Sequence, residues 1–284
     1  MAKSLFNRGG NGAVEMSFVD HLEALRWHIM RSLVAILVGA IVVFIYMDFF
    51  FGQVVMGPAN KDFITYRALC SFSHMIGMGD ALCLADINLK LISTEMSSQF
   101  MMSFTIAFVG GLVIAFPYVF WEFWRFVKPA LTDKEIRKTG GMIFWVSLLF
   151  FSGVAFGYFL LAPYTVNFFA AYTLSPMIQN TFTISDYIDN IVSLVLGTGL
   201  VFQLPLVVYF LAKIGLVTAE FLRTYRKFAV VVILVIAAVI TPPDVLSQLI
   251  VTIPLWLLYE ISISIAARVN REDPMIDKKP AEWS

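Results

Sequence analysis

Long apolar runs separated by short polar segments dominate this sequence. A helix needs about 20 mostly apolar residues to cross about 30 Å of hydrocarbon. Lipid offers no partner for unpaired backbone groups, so each run is predicted to be helical. The alternation over about ten residues that is typical of a membrane barrel is absent. The pattern predicts an all-α, polytopic integral membrane protein with six transmembrane helices, at roughly 32–51, 99–121, 141–162, 191–212, 228–240 and 249–266.

The last two runs, 228–240 and 249–266, are expected to form short helices. The first of them has 13 residues, about 20 Å at 1.5 Å per residue, which is less than the hydrocarbon thickness. Thr241 is predicted to cap the last helix, with Pro242 as its first residue and Asp244 in its first turn. A hairpin this short predicts local thinning of the bilayer.

The spans lie within one predicted membrane domain, 17–268. Segment 1–16 is predicted to be disordered, and 269–284 to be a polar tail. No cleavable signal peptide is evident, because the first apolar run begins only after about thirty residues. Ser17 is predicted to cap an amphipathic helix that leads into the first span. Its apolar positions recur at helical spacing, at Phe18, Leu22, Leu25 and Ile29.

Charge is sparse and unevenly distributed. The chain is 59% hydrophobic and 14% charged, whereas soluble domains have about 25% charged residues. Of the 20 Lys and Arg residues, 17 lie in the terminal segments and the loops 122–140 and 213–227, and 3 lie in 52–98. The positive-inside rule therefore predicts a multi-pass protein of the cell inner membrane, with both termini and those two loops cytoplasmic. An even number of spans agrees with this topology.

Patterns for catalysis and metal binding are absent from the sequence. The three histidines, His21, His28 and His74, lack metal-ligand spacing with another His or Cys. Neither a phosphate-binding glycine loop nor a nucleophile elbow occurs. We therefore expect no ATPase or hydrolase activity, no cofactor, no metal and no nucleic acid partner.

The two cysteines, Cys70 and Cys83, both fall in the predicted external loop 52–98. An oxidising compartment outside the membrane favours a disulfide between them. Such a bridge would close a loop of about 14 residues and contribute about 3 kcal/mol locally. The alternative is a pair of free thiols packed on aromatic side chains.

Polar residues inside the predicted spans are few. Gln203 lies mid-span near Pro205, and it is interpreted either as an interhelical hydrogen-bonding residue or as a functional residue. Glu260 lies near the cytoplasmic end of the last span, where an interfacial acid that reaches water is the simpler interpretation. The pair Gly110-Gly111 is interpreted as a site of close helix packing.

The polar segment 124–138, between the second and third runs, is the most distinctive part of the chain. It holds five of the 20 Lys and Arg residues, with Glu135 among them. Thr132 and Glu135 have capping-box spacing, so this glutamate could serve only the start of the next helix. The short length of the segment, its charge and its Trp, Phe and Pro content also indicate more than a connecting role.

Four motifs, specific together rather than singly, carry a family resemblance. They are Phe18-x-x-His21-Leu22-x-x-Leu25-Arg26, Gly57-Pro58, Phe126-x-x-Pro129-Ala130-Leu131-x-x-x-Glu135-x-Arg137 and Thr241-Pro242-Pro243-Asp244-Val245-x-Ser247-Gln248. With them the chain resembles the TatC family, the polytopic subunit of the twin-arginine protein translocase, over about 16–268. The resemblance implies six helices in a cupped, concave arrangement with both ends cytoplasmic.

The resemblance also implies a function and a set of partners. TatC-like proteins bind the twin-arginine signal peptide of folded cargo proteins at the cytoplasmic face and nucleate an export complex driven by the proton motive force. Small single-span subunits, TatA-like and TatB-like, join that complex, in which the chain is expected to form a homo-oligomer in the lipid bilayer. Matching positions assign signal-peptide binding to Glu135, Phe126, Pro129, Arg137, Leu25 and Arg26. Partner-helix docking or transport is expected at Gln203, Asp244 and Pro58.

The chain departs from the family pattern at two positions. Ala24 stands where the family often has a second glutamate, and we expect Glu23 with Asp20 to replace that carboxylate. Gln203 stands where many relatives carry a glutamate, so an amide there cannot titrate a proton. The competing functions are a small-solute transporter or channel and a scaffold without peptide specificity.

Overall fold

The computed structural model describes residues 18–60, 62–75, 77, 90–128, 141–175, 177, 180–241 and 245–272. Within these ranges the chain is almost entirely helical. The helices are α1 (Phe18–Ile45), α2 (Met47–Phe49), α3 (Ile64–Met75), α4 (Ser98–Val127), α5 (Met142–Phe156), α6 (Ala162–Ala171), α7 (Ile184–Val201), α8 (Leu204–Lys213), α9 (Ala219–Thr224), α10 (Arg226–Ile240) and α11 (Val245–Glu272). Two short strands, β1 (Leu91–Ile92) and β2 (Phe182–Thr183), pair in parallel, with Leu91 opposite Phe182.

Five helical stretches of the described residues are long and apolar enough to cross a membrane. They are Glu23–Ile45, Ser98–Val127, Met142–Ala171, Ile184–Lys213 and Ser247–Asn270. Each overlaps a predicted span, so the polytopic all-α class is confirmed. The remaining predicted span, 228–240, coincides with α10, which has 15 residues, about 22 Å at 1.5 Å per residue. A sixth crossing through α10 stays a prediction.

Two spans differ in extent from the apolar runs. α1 is continuous from Phe18 to Ile45, so the amphipathic start and the first span form one helix that ends before the predicted 51. The prediction that both of the last two helices are short is wrong for α11, which has 28 residues. Its helical hydrogen bonding continues beyond the apolar run through Arg268 and Asn270, because a helix needs an apolar surface only where lipid surrounds it.

Two of the long apolar stretches are interrupted within their length. Between α5 and α6 a π-helical segment, Gly157–Leu161, precedes Pro163. Between α7 and α8 the helix breaks at Phe202 and Gln203, just before Pro205. Proline lacks the N–H that a continuous helix would use, so each break falls beside the residue that cannot donate.

α1 and α4 pack antiparallel and very closely. A Cβ at Gly39 would lie 2.9 Å from the carbonyl oxygen of Gly111, and a Cβ at Gly111 would lie 2.8 Å from Cα of Ala40. Neither position can therefore carry a larger side chain at this spacing. Small residues are the usual means by which helices approach closely in lipid, so the predicted packing role of Gly110-Gly111 agrees with this contact.

The two ends of the bundle are held by different groups. We call the end at which α1 begins the near end, and the opposite end the far end. At the far end, tyrosine hydroxyls donate to carbonyls of the irregular segment that follows α1: Tyr158 to Val54 and Tyr187 to Val55, each at 2.7 Å, and Tyr66 to Pro58 at 2.6 Å. These bonds satisfy carbonyls of the π-helix Phe50–Val55 and of the turn after it.

Candidate functional site

The near end contains a buried carboxylate, Glu122, one turn from the end of α4. Its side chain is 1% exposed. Nδ1 of His28 lies 2.5 Å from one carboxylate oxygen, and the hydroxyl of Tyr118 donates to the other at 3.0 Å. Nη1 of Arg125 lies 3.5 Å from that second oxygen. A buried charge is tolerated only where it is paired and hydrogen-bonded, and these partners supply both.

Helical spacing on α4 creates this arrangement. Tyr118, Glu122 and Arg125 stand at positions i, i+4 and i+7, so all three side chains lie on one face. Arg125 is 44% exposed, and its guanidinium carbon lies 5.0 Å from the centroid of the Trp121 ring. The guanidinium is therefore half-exposed and balances the carboxylate from the outer side of the helix.

His28 brings α1 to this face from 94 residues away in sequence. An ionised carboxylate only accepts hydrogen bonds, so Nδ1 must carry the hydrogen that points at Glu122. The imidazole also meets the ring of Phe126 edge to face, with ring centroids 6.2 Å apart. One histidine thus contacts both the buried carboxylate and the last turn of α4.

The predicted signal-peptide residues divide between described and undescribed parts of the chain. On α1, Glu23 and Arg26 are exposed and Leu25 is half-buried, while Asp20 lies in the helix without a described side chain. Phe126 is half-buried at the end of α4. The remaining predicted residues lie outside the described residues: Pro129, Glu135 and Arg137.

The structure brings the two described halves of the predicted site together. Leu25 and Arg26 lie within one turn of His28 on α1, and His28 contacts Phe126 on α4. The role of each of these residues stays a prediction.

The structure places the residues predicted for partner docking in different regions. Gln203 is 8% exposed, and its amide nitrogen donates to the carbonyl of Val146 at 3.3 Å, while its amide oxygen is buried without a hydrogen-bond partner. An apolar cavity of about 520 Å³ beside it is lined by parts of α5, α8 and α11. Pro58 is buried at the far end, and Asp244 lies outside the described residues.

Other predictions concern the last helices and the cysteines. Glu260 is 28% exposed and pairs with Arg226 at 2.7 Å, as expected for an interfacial acid. The hydroxyl of Thr241 donates back to Ala237 at 2.8 Å, so it serves the end of α10; its predicted cap on the next helix involves undescribed residues. Cys70 does not carry a free thiol, and Cys83 lies outside the described residues, so the pairing of the two stays a prediction.

Sequence reasoning missed Glu122, His28 and Tyr118. The apolar run that predicts the second span ends at 121, so the pattern assigns Glu122 to the polar loop 122–140, and the spacing of the histidines bears only on metal binding by His28. A signal existed in the spacing of Tyr118, Glu122 and Arg125 on one helical face. Nothing in the linear sequence pairs that face with a histidine on α1.

Comparison with known proteins identifies the family. The model of the family described as "Sec-independent protein translocase protein (TatC)" matches residues 20–254. The TatC protein of Blattabacterium sp. subsp. Periplaneta americana is 38% identical over 259 residues, which are 91% of this chain and 97% of that protein. The TatC protein of Carboxydothermus hydrogenoformans is 34% identical, over 91% of this chain and 96% of its own length.

Solved structures agree with the sequence relatives. A crystal structure titled as the twin arginine translocase receptor TatC in DDM has a TM-score of 0.67 and 30% identity, covering 87% of this chain and 99% of that one. A second TatC crystal structure has a TM-score of 0.63 and 28% identity, covering 88% and 100%. The chain therefore belongs to the TatC family of Sec-independent protein translocase proteins.

Proposed function

We propose that this TatC-family translocase subunit binds twin-arginine signal peptides of folded cargo proteins at its near end and nucleates the export complex there. The observation that carries the proposal is the contact between the start of α1 and the end of α4. His28 meets Glu122 and Phe126, and this places Glu23 and Arg26 beside the point where the basic loop begins. We call the start of α1, 18–26, and the loop 122–140 the two recognition segments. A peptide that lies across that junction could meet both of them at once.

Charge supports the side of the membrane on which we place this site. Basic residues in the terminal segments and in loops 122–140 and 213–227 outnumber those in 52–98 by 17 to 3. We propose on this basis that both termini and the near end face the cytoplasm, and that the membrane is the cell inner membrane. Export would then draw on the proton motive force, without ATPase or hydrolase chemistry on this chain.

Carboxylates are proposed to select the arginine pair. Glu135 in the loop and exposed Glu23 on α1, with Asp20, are the candidates. A planar guanidinium binds a carboxylate through two parallel hydrogen bonds, whereas an ammonium is a point charge, so a paired arginine should bind more tightly than a paired lysine.

Partner subunits are proposed to dock elsewhere. The apolar cavity between α5, α8 and α11 lies beside Gln203, whose buried amide oxygen has no hydrogen-bond donor among the described residues. A single-span TatA-like or TatB-like helix would suit such a surface, because helices in lipid associate through packing and a few interhelical hydrogen bonds. Assembly of several copies of this chain in the complex is part of the same proposal.

Peptide binding by the full chain in lipid nanodiscs tests the proposed receptor function. A fluorescent signal peptide with Arg-Arg should bind at least about tenfold more tightly than its Lys-Lys version, a difference of about 1.4 kcal/mol. Glu135→Ala should remove most of that preference and Glu23→Ala part of it. The matched control is Glu220→Ala, which removes an exposed carboxylate from α9. Equal binding of the two peptides by the unaltered protein would exclude the proposed function.

A further inference from the structure

The face of α1 that packs on α4 continues up to the recognition segment. Side chains on this face are less exposed than their neighbours, at Ala24, Leu25, His28, Ser32, Ile36, Gly39 and Val43. Glu23 and Arg26 lie off this face and are exposed, and Trp27 is 60% exposed. The turns of α1 before His28 therefore have little to pack against within the described residues.

His28 and Glu122 tie the two helices together close to both recognition segments. Glu23 precedes His28 by five residues, about 8 Å along the helix axis. Glu122 precedes Lys128, the last described residue before the basic loop, by about 9 Å along its own helix. The bond between His28 and Glu122 thus lies within about two helical turns of each half of the proposed site.

The contact between His28 and Glu122 is a hydrogen bond, so it depends on direction in a way that apolar contact does not. Close packing at Gly39 and Gly111 orients the middle of α1, but the turns before His28 have no such contact, and apolar contact there gains little when lipid tails offer the same contact. A short hydrogen bond to a buried carboxylate is directional, and it is strong where water is excluded. It fixes the rotation of α1 about its axis, and that rotation decides where Glu23 and Arg26 point.

We propose that His28 and Glu122 are a positioning pair that sets the affinity for the twin-arginine signal peptide. Glu122 does not touch the peptide, since it is 1% exposed, and His28, 18% exposed, has its Nδ1 directed at that carboxylate. It holds the exposed turns of α1 in the orientation that matches the start of the basic loop, so that binding does not have to order them. This inference rests on the proposed receptor function and adds two residues on which that function depends.

The pair lies one helical turn from Ala24, the position at which this chain departs from the family pattern. Ala24 and His28 are four residues apart and lie on the same face of α1. The carboxylate that the family resemblance leads one to expect at Ala24 is missing, while a carboxylate from α4 occupies the next turn of that face. In this chain α4 therefore supplies the acid that lies against this side of the recognition helix.

Four single variants of the full chain in nanodiscs, and the double variant His28→Leu with Glu122→Gln, test the inference. His28→Leu removes the donor to Glu122, and Glu122→Gln removes the charge while keeping the shape. His28→Asn keeps a donor near the position of Nδ1 and serves as the conservative rescue. Arg226→Gln breaks an ion pair between α10 and α11 and is the matched control. Each variant is measured for Arg-Arg peptide affinity, for thermal stability and for amide exchange at 23–27.

We expect His28→Leu and Glu122→Gln each to weaken peptide binding about tenfold and to speed amide exchange at 23–27. The double variant should bind no more weakly than His28→Leu alone, because both changes act on one interaction: His28→Leu removes its donor, and Glu122→Gln removes its charge but keeps an acceptor oxygen. His28→Asn should recover most of the affinity, and Arg226→Gln should leave affinity and exchange unchanged.

The outcomes separate this inference from the proposed function. If the unaltered protein binds Arg-Arg and Lys-Lys peptides equally, the receptor function itself fails. If it prefers Arg-Arg and both single variants keep that affinity, the positioning role alone is overturned. A loss of thermal stability with unchanged affinity would also overturn it, since the pair would then serve only the fold.

Discussion

The interface between α1 and α4 is built in two ways along its length. In its middle, Gly39 and Gly111 let the two backbones touch, and no polar side chain takes part in that contact. Eleven residues nearer the near end on each helix, His28 and Glu122 form a hydrogen-bonded pair. The same two helices are thus held first by shape and then by a buried charge.

The difference reflects what surrounds each part of the interface. In the bilayer centre a buried charge would be costly, and close packing of small residues is the available source of specificity. Toward the near end, a buried carboxylate can be balanced by a charged side chain that reaches outward from the bundle, as Arg125 does at 44% exposure. Packing fixes how closely the middles of the two helices approach, and the charged pair fixes how their near ends meet.

The largest effect should come from changing the glycine contact. Gly111→Ala would place a methyl group 2.8 Å from Cα of Ala40 and from the carbonyl oxygen of Ile36, and backbone atoms cannot rotate away. We expect a loss of about 3 kcal/mol in the free energy of unfolding, at the upper end of overpacking costs. Reversible unfolding by SDS, followed by far-UV circular dichroism, would measure it.

The adjacent glycine is the control for that change. Gly110→Ala would meet a side chain and no backbone, the methyl groups of Val43 at 3.1 and 3.2 Å, and these need to shift by only a few tenths of an ångström, so its cost should be smaller, about 1 kcal/mol. If the two substitutions destabilise the protein equally, the close backbone approach at Gly111 is not what holds the middle of the interface.

A smaller loss should follow from removing the buried carboxylate. Glu122→Ala leaves Nδ1–H of His28 and the hydroxyl of Tyr118 without their acceptor. A buried donor that loses its partner costs about 1–3 kcal/mol, and we expect about 2 kcal/mol in the same SDS titration. Replacing both members, His28→Leu with Glu122→Leu, should recover most of that stability, because the imidazole donor is removed as well and the hydroxyl of Tyr118, a residue that is 38% exposed, can turn to solvent. A double variant as unstable as Glu122→Ala would mean that the pair is needed for the fold itself.

Much of the architecture could be predicted from the sequence. Apolar run length is enough to identify helices in lipid, and five of the six runs correspond to helices long enough to cross. Run length could not locate the helix ends, because hydrogen bonding in α1 and α11 continues into polar residues. Run length also could not locate the helix breaks at Gly157–Leu161 and before Pro205, because both breaks lie within predicted apolar runs.

The candidate site was only partly accessible to sequence reasoning. Motifs located Glu23, Leu25, Arg26 and Phe126 on two separate segments, and the structure places these segments at one end. The sequence pattern does not predict that Glu122 is buried, because an acid at the end of an apolar run is interpreted as the start of a loop. Its burial depends on a partner 94 residues away, and a linear pattern carries no information about such a pair.

A buried polar contact without charge should have an intermediate effect. The hydroxyl of Tyr66 donates to the carbonyl oxygens of Pro58 at 2.6 Å and Pro163 at 3.1 Å, at the far end. Tyr66→Phe should cost about 1 kcal/mol, less than Glu122→Ala, because a neutral bond is weaker than a charge-assisted one. Tyr172→Phe, at a site 60% exposed, is the control and should be neutral.

Alkaline pH offers an independent measurement of the same contact. Burial raises the pKa of Tyr66 above its ordinary value of 10.0. The unfolded chain then loses this proton first, so the stability from Tyr66 is present below pH 10 and is lost as the pH rises further. The stability difference between the unaltered protein and Tyr66→Phe should shrink above that pH. A difference that stays constant to pH 11 would show that the hydroxyl is not shielded from water.

The smallest effect should come from the exposed ion pair at the near end. Arg226 and Glu260 lie 2.7 Å apart, but their side chains are 48% and 28% exposed, so water screens most of the attraction. Arg226→Gln should cost about 0.5 kcal/mol at low ionic strength and nothing measurable in 1 M salt. The loss from Glu122→Ala should persist in the same salt, since burial shields that carboxylate from ions. Equal salt sensitivity of the two losses would mean that water reaches Glu122, and the contrast between shape and buried charge along α1 and α4 would then fail.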